Sequence, residues 1–267
     1  MAITSYLHEI LIFLKKKELI SSGKTKSIFE IGEQNWYGDV SFKDLIKTIN
    51  NYSDNKDKEV LCKKLNEIIS LIEKGTDPRT FAFDVAKLFY KAIFDHNEYV
   101  AIDLDGTEHS IKFDLNNEYK DEKKYNVVTN LGTSEHIFNQ LAVFKTIHNL
   151  VLEEGFIIHQ LPGQGYYDHG FYNYQPTFFF DLALANNYQI FGFWMYDNNK
   201  KELINVHKRE NYLKLFVRDN HPTYYDNIVV YKTSSKKKEE FRLPMQHIYS
   251  KANISAEERK LWDENKK

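Results

Sequence analysis

A single cysteine, Cys62, among 267 residues rules out an internal disulfide framework and suits a reducing compartment. The formal net charge is only −2, so there is no excess of one sign to draw the chain to nucleic acid or to an anionic membrane. No uninterrupted apolar run reaches the ~18–20 residues that a bilayer requires. In the N-terminal "SYLHEILIFL", His8 and Glu9 break the apolar stretch, and its basic residues follow it rather than precede it, the wrong order for a signal peptide. Internal repeats and long low-complexity segments are also lacking. These absences lead to the expectation of a cytoplasmic protein with neither nucleic-acid nor membrane partners.

What is present is core-forming material, with 42% hydrophobic and 15% aromatic residues. The pattern predicts a first helix over Tyr6–Lys17 ended by "SSGK", then a short strand over Lys26–Ile31. Residues 41–97 read as helical, because Leu61, Leu65, Ile68, Ile69 and Ile72 recur at helical spacing, as do Phe83, Ala86, Phe89, Tyr90 and Ile93. Beyond residue 99 the chain alternates between strand and helix: "YVAIDL", "SIKFDL" and "YNVVTNL" as strands, then the helix "NQLAVFKTIHNLVLEEG" closed by its glycine. The strand "GFIIHQL", a helix opened by Pro176, and the strands "YQIFGFWMY" and "NIVVYK" follow. Such alternation predicts an α/β fold, an open and mostly parallel sheet with helices on both faces. Ligands of such sheets bind beyond the carboxyl ends of the strands.

Polar groups close each successive parallel strand. The first ends in "EIGEQ", where Gly32 is either an ordinary turn glycine or a point of close backbone approach to a ligand. The next ends at Asp103, whose carboxylate matches a ribose diol or else solvates a turn. Asp103 lies far beyond the usual ~20-residue spacing from the glycine, which implies an inserted helical segment over about residues 40–78, a candidate cap. The third ends in "DLN", and the fourth in "NLGTSEH", which sets Glu135 beside His136 at an expected helix start, where free amides favour an acidic group. The fifth ends in "HQLP".

Two motifs fail. "SGKTKS" lacks the first glycine of a phosphate loop, with Glu18 in its place, and it precedes a strand instead of following one. "GQGYYDHG" has Asp168 where a dinucleotide fingerprint needs its third glycine. His159, Asp168 and His169 are residues of metal-binding type, yet no helix-borne pair or Cys/His repeat supports a site, so no metal is expected.

The segments "IFEIGEQNWYGD", "AIDLDG", "FDLN", "NVVTNLGTSEHIFNQ" and "GYYDHGFYNYQPTFFFDLALANNY" together resemble class I S-adenosylmethionine-dependent methyltransferases. More narrowly they are similar to bacterial small-molecule enzymes of capsule and surface-polysaccharide biosynthesis that modify a phosphoramidate or sugar intermediate. The resemblance spans about residues 26–232. It implies a Rossmann-like fold, a seven-stranded sheet with an antiparallel last strand inserted beside the fifth, in a single domain with a C-terminal extension over 234–267. S-adenosyl-L-methionine is the implied cofactor. By position, Glu30, Gly32 and Gln34 would line its methionine part, Asp103 its ribose, and Leu104, Asp114 and Leu115 its adenine, with Asn130 and Gly132 beneath the sulfonium. The single glycine and the long insertion depart from the family pattern.

Methyl transfer to a hydroxyl needs in-line alignment, exclusion of water and a base of suitable pKa, which histidine supplies. His169, in the loop beyond the fifth strand, is the first choice of base, with a structural hydrogen bond as its bland alternative; His136 and His159 are the others. Tyr166, Tyr167, Tyr172 and Tyr174, with Phe171, would wall the acceptor pocket, whereas Phe178, Phe179 and Phe180 would pack the core. Arg79, Lys112, Lys145 and Arg218 are available for a phosphate. The expected activity is O-methylation of a small polar, phosphorylated or nucleotide-linked metabolite. The alternatives are an N-methyltransferase, a non-catalytic adenosyl-binding subunit and, disfavoured by the missing fingerprint, a nicotinamide oxidoreductase. The stretch "EFRLPMQHIY" would either cover the pocket or dock a second copy in a homodimer.

Overall fold

A computed structural model describes residues 2–20, 25–217, 221–235, 237, 239–249 and 255–265. The expected "SSGK" helix end and Arg218 lie outside the described residues, as do parts of the "SGKTKS" and "SSKKKEE" segments. The chain comprises two compact units. Unit 1 takes residues 1–113 and 125–127; unit 2 takes 114–124 and 128–267.

In unit 1, β1 (Ala2–Ile3) pairs in parallel with β3 (Asn35–Trp36). Between them lie α1 (Ser5–Lys16) and β2 (Ser27–Ile31). Thr4 caps α1 by accepting from Leu7 N, and the helix buries Leu7, Ile10, Leu11 and Leu14 on one face. The region read as helical resolves into α2 (Phe42–Tyr52), α3 (Asn55–Glu73) and α4 (Ala82–Phe94). Ser41 and Asp54 cap the first two, whose apolar stripes pack against each other and against α4. α4 buries eight side chains from Val85 to Phe94 and stops at Asp95, which takes a left-handed conformation, as C-terminal caps commonly do. β4 (Glu98–Asp103) follows, parallel to β2 with Ile31 opposite Ile102. β5 (Ile111–Lys112) is parallel to β4 but only two residues long and exposed; the longer strand expected from "SIKFDL" ends where Asp114 turns the chain.

β6 (Tyr125–Leu131) starts in unit 1 and continues in unit 2. There it leads to α5 (Gln140–Leu150), β7 (Val151–Pro162), α6 (Pro176–Asn186), β8 (Gln189–Asp197), β9 (Glu202–Asn205), α7 (Arg209–Val217), β10 (Tyr225–Lys232) and α8 (Ala256–Asn265). Two elements differ from expectation. Glu135 and His136 sit in a short 3-10 turn, and α5 begins only at Gln140, capped by Asn139. Gly155 does not close that helix. α5 ends at Leu150, and Val151 already begins β7, where Thr233 receives Gly155 N and donates to Leu152 O. A β-branched residue directly after the helix favours extended backbone over another turn.

The larger sheet runs β5-β4-β2-β6-β7-β10-β8-β9. β10 is antiparallel to both β7 and β8, as expected for the inserted last strand. The count is eight rather than seven, because β9 adds an antiparallel edge to β8, Leu203 opposite Tyr196. The four residues "ELIN" are too few for periodicity to reveal them. β2 and β10 are buried almost throughout, the mark of strands covered on both faces.

Candidate active site

In unit 1 the carboxyl ends of β2 and β4 are tied together by side chains. Asp103 receives Glu33 N on one carboxylate oxygen and Asp105 N on the other, each at 2.9 Å. One lone pair on each oxygen is thus left over, a fit for a vicinal diol. Beside it the Leu104 side chain is 66% exposed, an apolar surface at a strand tip that suits the face of a base. Gly32 has φ +80°, a conformation costly for any side chain, and its N–H meets Ile102 O at 2.8 Å.

The turn after Gly32 is filled by its own side chains. Gln34 is fully buried and donates to Gly32 O at 2.9 Å, while its N–H goes to Glu30 Oε2 at 3.0 Å. Tyr99 also donates to Glu30, and burial pushes the Glu30 carboxyl up to about 7. Glu30 and Gln34 thereby brace this turn, while Glu30 Oε1 and Gln34 Oε1 are buried and accept no hydrogen bond from a described residue. Glu33 turns inward too, meeting the Lys87 ammonium at 2.9 Å, Thr107 N at 2.6 Å and Thr107 Oγ1 at 2.8 Å. Burial alone would raise its carboxyl; the ammonium and the two Thr107 donors outweigh that and hold it below the ordinary range. No local pattern in the sequence marks the pairing of Glu33 with Lys87, since α4 meets this turn only in the folded chain.

Unit 2 places the other expected residues in differing roles. Asp114 caps its own turn by accepting Asn116 N, and Leu115 is buried in the core, not offered to an adenine edge. Asn130 is fully buried; it donates to Ser134 Oγ at 2.9 Å, stands 3.3 Å from His159 Nδ1 and accepts Ser134 N. Gly132, at φ +64°, sends its N–H to Gln160 O. His159 is a core histidine, ringed by Phe144, Phe179 and Tyr231, and burial pushes it down to about 3. Burial thus favours its neutral form, and it lies in the core rather than in the loop that carries His169.

The loop from 163 to 175 folds back on the 3-10 turn. Phe171 N and Tyr172 N both donate to Glu135 O, at 2.8 and 3.3 Å. Gly170 lies so close that a Cβ there would meet the Glu135 carbonyl oxygen at 2.9 Å. This clasp brings His169 Nε2 to 3.6 Å from Glu135 Oε1, with His136 Nε2 at 3.8 Å from the same oxygen. Both imidazoles are 44% exposed, whereas the Glu135 side chain is wholly buried and neither of its oxygens accepts a hydrogen bond from a described residue. Burial pushes the Glu135 carboxyl up to about 7, and burial together with the neighbouring His169 lowers His136.

Of the aromatic loop residues, Tyr167 is 91% exposed and Tyr172 holds Phe138 O at 2.9 Å. Tyr166 donates to Asp226, which Asn198 also reaches at 3.0 Å. Tyr174 is buried, linking Ser134 and Gln140, so it supports the wall from behind. Phe179 and Phe180 pack the core as expected, and Phe178 is partly buried. The phosphate candidates are engaged: Arg79 with Asp77, Lys145 with Glu118, and Lys112 with Gly106 O and Ser110.

Residues 42–220 match the model of a methyltransferase-domain family. That is more than half of the chain, which belongs to this family. No curated protein sequence matches it significantly. Among solved structures, a Bacillus halodurans C-125 protein assigned provisionally as a methyltransferase is 8% identical, with a TM-score of 0.45 over 85% of this chain and 100% of that one. The O-methyltransferase of a trans-AT PKS multienzyme from Brevibacillus brevis, in complex with S-adenosyl-L-homocysteine, is 11% identical, with a TM-score of 0.40 over 85% and 72%. The YcgJ protein of Bacillus subtilis is 7% identical, with a TM-score of 0.43 over 85% and 99%. The family match, not these distant likenesses, carries the assignment. No described helix is long and apolar enough to cross a membrane.

Proposed function

We propose that the chain transfers a methyl group from S-adenosyl-L-methionine to a hydroxyl of a small polar or phosphorylated metabolite, of the kind assembled into surface polysaccharides. The methyl donor is S-adenosyl-L-methionine, in keeping with the family; when bound, its sulfonium supplies an electrophilic methyl group. Asp103 would take the ribose hydroxyls and Leu104 would face the adenine. The residues of β2 and its turn, Glu30, Gln34 and Glu33, hold Gly32 and Asp103 in place.

The observation that carries the hydroxyl reading is the cluster of Glu135, His136 and His169. An alcohol must lose its proton as it attacks. A half-exposed imidazole pair backed by a buried carboxylate, 3.6 and 3.8 Å away, is suited to drawing that proton off. An amine acceptor has no such requirement once neutral. Tyr166, Tyr167 and Tyr172 share the loop that carries His169 and would contact the acceptor. The helical insertion α2–α3 would act as a cap, and residues 234–267 as an accessory segment.

The test has two stages. Calorimetry on the full chain should register S-adenosylhomocysteine binding; none at millimolar ligand sinks the methyltransferase reading. A panel of hydroxylated, phosphorylated and nucleotide-linked metabolites should then yield a mass gain of one methyl group. Gain only on amines would overturn the choice of hydroxyl. The rival reading is an adenosyl-binding subunit without turnover, and cofactor binding with no acceptor methylated across the panel would support it.

A further inference from the structure

We propose that Glu135, His136 and His169 form the binding site of a divalent transition-metal cation. The inference deepens the reading above, in which this cluster activates the acceptor, but its central test does not depend on methyl transfer.

A buried carboxylate is ordinarily hydrogen-bonded or paired, because leaving it bare forfeits its solvation with nothing in return. In Glu135 both oxygens lack a hydrogen-bond donor among the described residues, and the side chain has no exposure to water. Two imidazole nitrogens, which are ligand atoms when neutral, stand 3.6 and 3.8 Å from one of these oxygens. One ligand atom from each of the three residues lies within 4.8 Å of the others. Bond lengths of about 2.0–2.1 Å to nitrogen or carboxylate oxygen place the ligands of a tetrahedral ion roughly 3.3–3.5 Å apart. The two separations from Glu135, 3.6 and 3.8 Å, are already near that value. Closing the rest needs only rotation of two half-exposed rings, whose centroids are 5.1 Å apart.

The cluster is also built, rather than a chance meeting of surface side chains. The Glu135 backbone is fixed through its carbonyl by Phe171 N and Tyr172 N, and Gly170 has no side chain to hold the loop away. His136 follows Glu135 in the same 3-10 turn. Neither histidine therefore depends on a flexible tether to reach the carboxylate.

Two imidazoles and one carboxylate select a transition ion over magnesium or calcium, which prefer oxygen alone. Three protein ligands leave at least one coordination position open, on the exposed side where both rings face solvent. An acceptor hydroxyl bound there would be acidified by the cation. Its proton passes to water, and the oxygen lone pair forms the new O–CH3 bond. The methyl–sulfur bond breaks with its electron pair kept on sulfur, leaving a neutral thioether. His136 and His169 would then act as ligands, and the ion would supply the activation that a free imidazole otherwise gives.

Cobalt(II) is the probe. The chelator-treated full-length protein should bind about one Co2+ per chain, with visible d–d absorption of a low-coordinate nitrogen/oxygen site. His169→Ala and Glu135→Gln should each weaken binding at least tenfold, while S-adenosylhomocysteine affinity is unchanged. His109→Ala, an exposed histidine paired with Glu108, should leave Co2+ binding intact. Since Glu135 is buried and its variant can misfold, His169→Ala, on an exposed ring, decides the matter. Absence of Co2+ binding, or binding that His169→Ala leaves unchanged, overturns the proposal. So does methylation that proceeds at full rate in excess chelator. Metal bound through these residues with no acceptor methylated would uphold the site and count against the methyltransferase reading alone.

Discussion

His169 Nε2 stands 3.6 Å from Glu135 Oε1, and the backbone of the same loop clasps the Glu135 carbonyl through Phe171 and Tyr172. These backbone contacts tie the loop to the turn and set the half-exposed imidazole beside a buried carboxylate.

Gly170 is the point where this lock can be tested without touching a reactive group. In Gly170→Ala the new methyl would meet the Glu135 carbonyl oxygen at 2.9 Å, and backbone cannot yield as a side-chain tip can. Overpacking of this kind costs about 1–3 kcal/mol. Thermal unfolding should register that loss, and kcat should fall at least tenfold with cofactor affinity unchanged. Normal turnover in a normally stable variant would show that the clasp does not position His169.

His169→Ala itself should lower kcat by about 100-fold or more, with little change in melting temperature because the ring is half-exposed. Steady-state kinetics with the acceptor found by mass gain would check this. Intact turnover would remove His169 from the chemistry.

For Asp103→Ala, S-adenosylhomocysteine affinity should drop at least tenfold, or about 1.4 kcal/mol. Calorimetry reads this directly. Unchanged affinity would leave Asp103 as a turn carboxylate that only orders Glu33 and Asp105.

Lys87→Ala strands the buried Glu33 carboxylate with Thr107 as its remaining donor. Removing one partner of a buried ion pair costs roughly 3–5 kcal/mol, less here because Lys87 is partly exposed. Urea unfolding should show a loss of about 2–4 kcal/mol, much of it restored by adding Glu33→Gln. No loss in the single variant would mean that solvent replaces the ammonium without penalty.

The buried, neutral His159 predicts an acid limb in the stability curve. Its folded pKa, about 3, lies below the ordinary 6.5, so the unfolded chain takes up a proton first as pH falls. The stability it contributes is complete above about 6.5 and is lost progressively towards pH 3. The full loss is on the order of 3–5 kcal/mol. Unfolding of His159→Leu should be less sensitive to pH between 6 and 4 than that of the parent chain. An equally steep limb would assign the loss to other groups.

Most of the helices and strands were legible because hydrophobic period is a local property. The five buried residues of β2 and the stripe Leu61, Leu65 and Ile68 of α3 declare themselves within one window. Boundaries were less so: β7 starts at Val151 rather than at Gly155, its register with β10 ends at Phe156 opposite Lys232, and the stretch before that is tied to Thr233 through Gly155 N and Leu152 O. β9 was invisible, since an edge strand of four residues is stabilised by the partner it meets and not by its own pattern.

The site divided in the same way. Strand-end chemistry at Gly32 and Asp103 could be read from residue type, and the pairing of Glu135 with His136 is written in adjacent letters. The sequence by itself determined which elements form and which polar groups sit at their tips, because backbone geometry and burial period act over a few residues. Only the tertiary structure decided that Lys87 of α4 neutralises Glu33, that His159 is entombed, and that a glycine lets His169 close on Glu135. Those outcomes depend on contacts between residues far apart in the chain, whose distances no local pattern encodes.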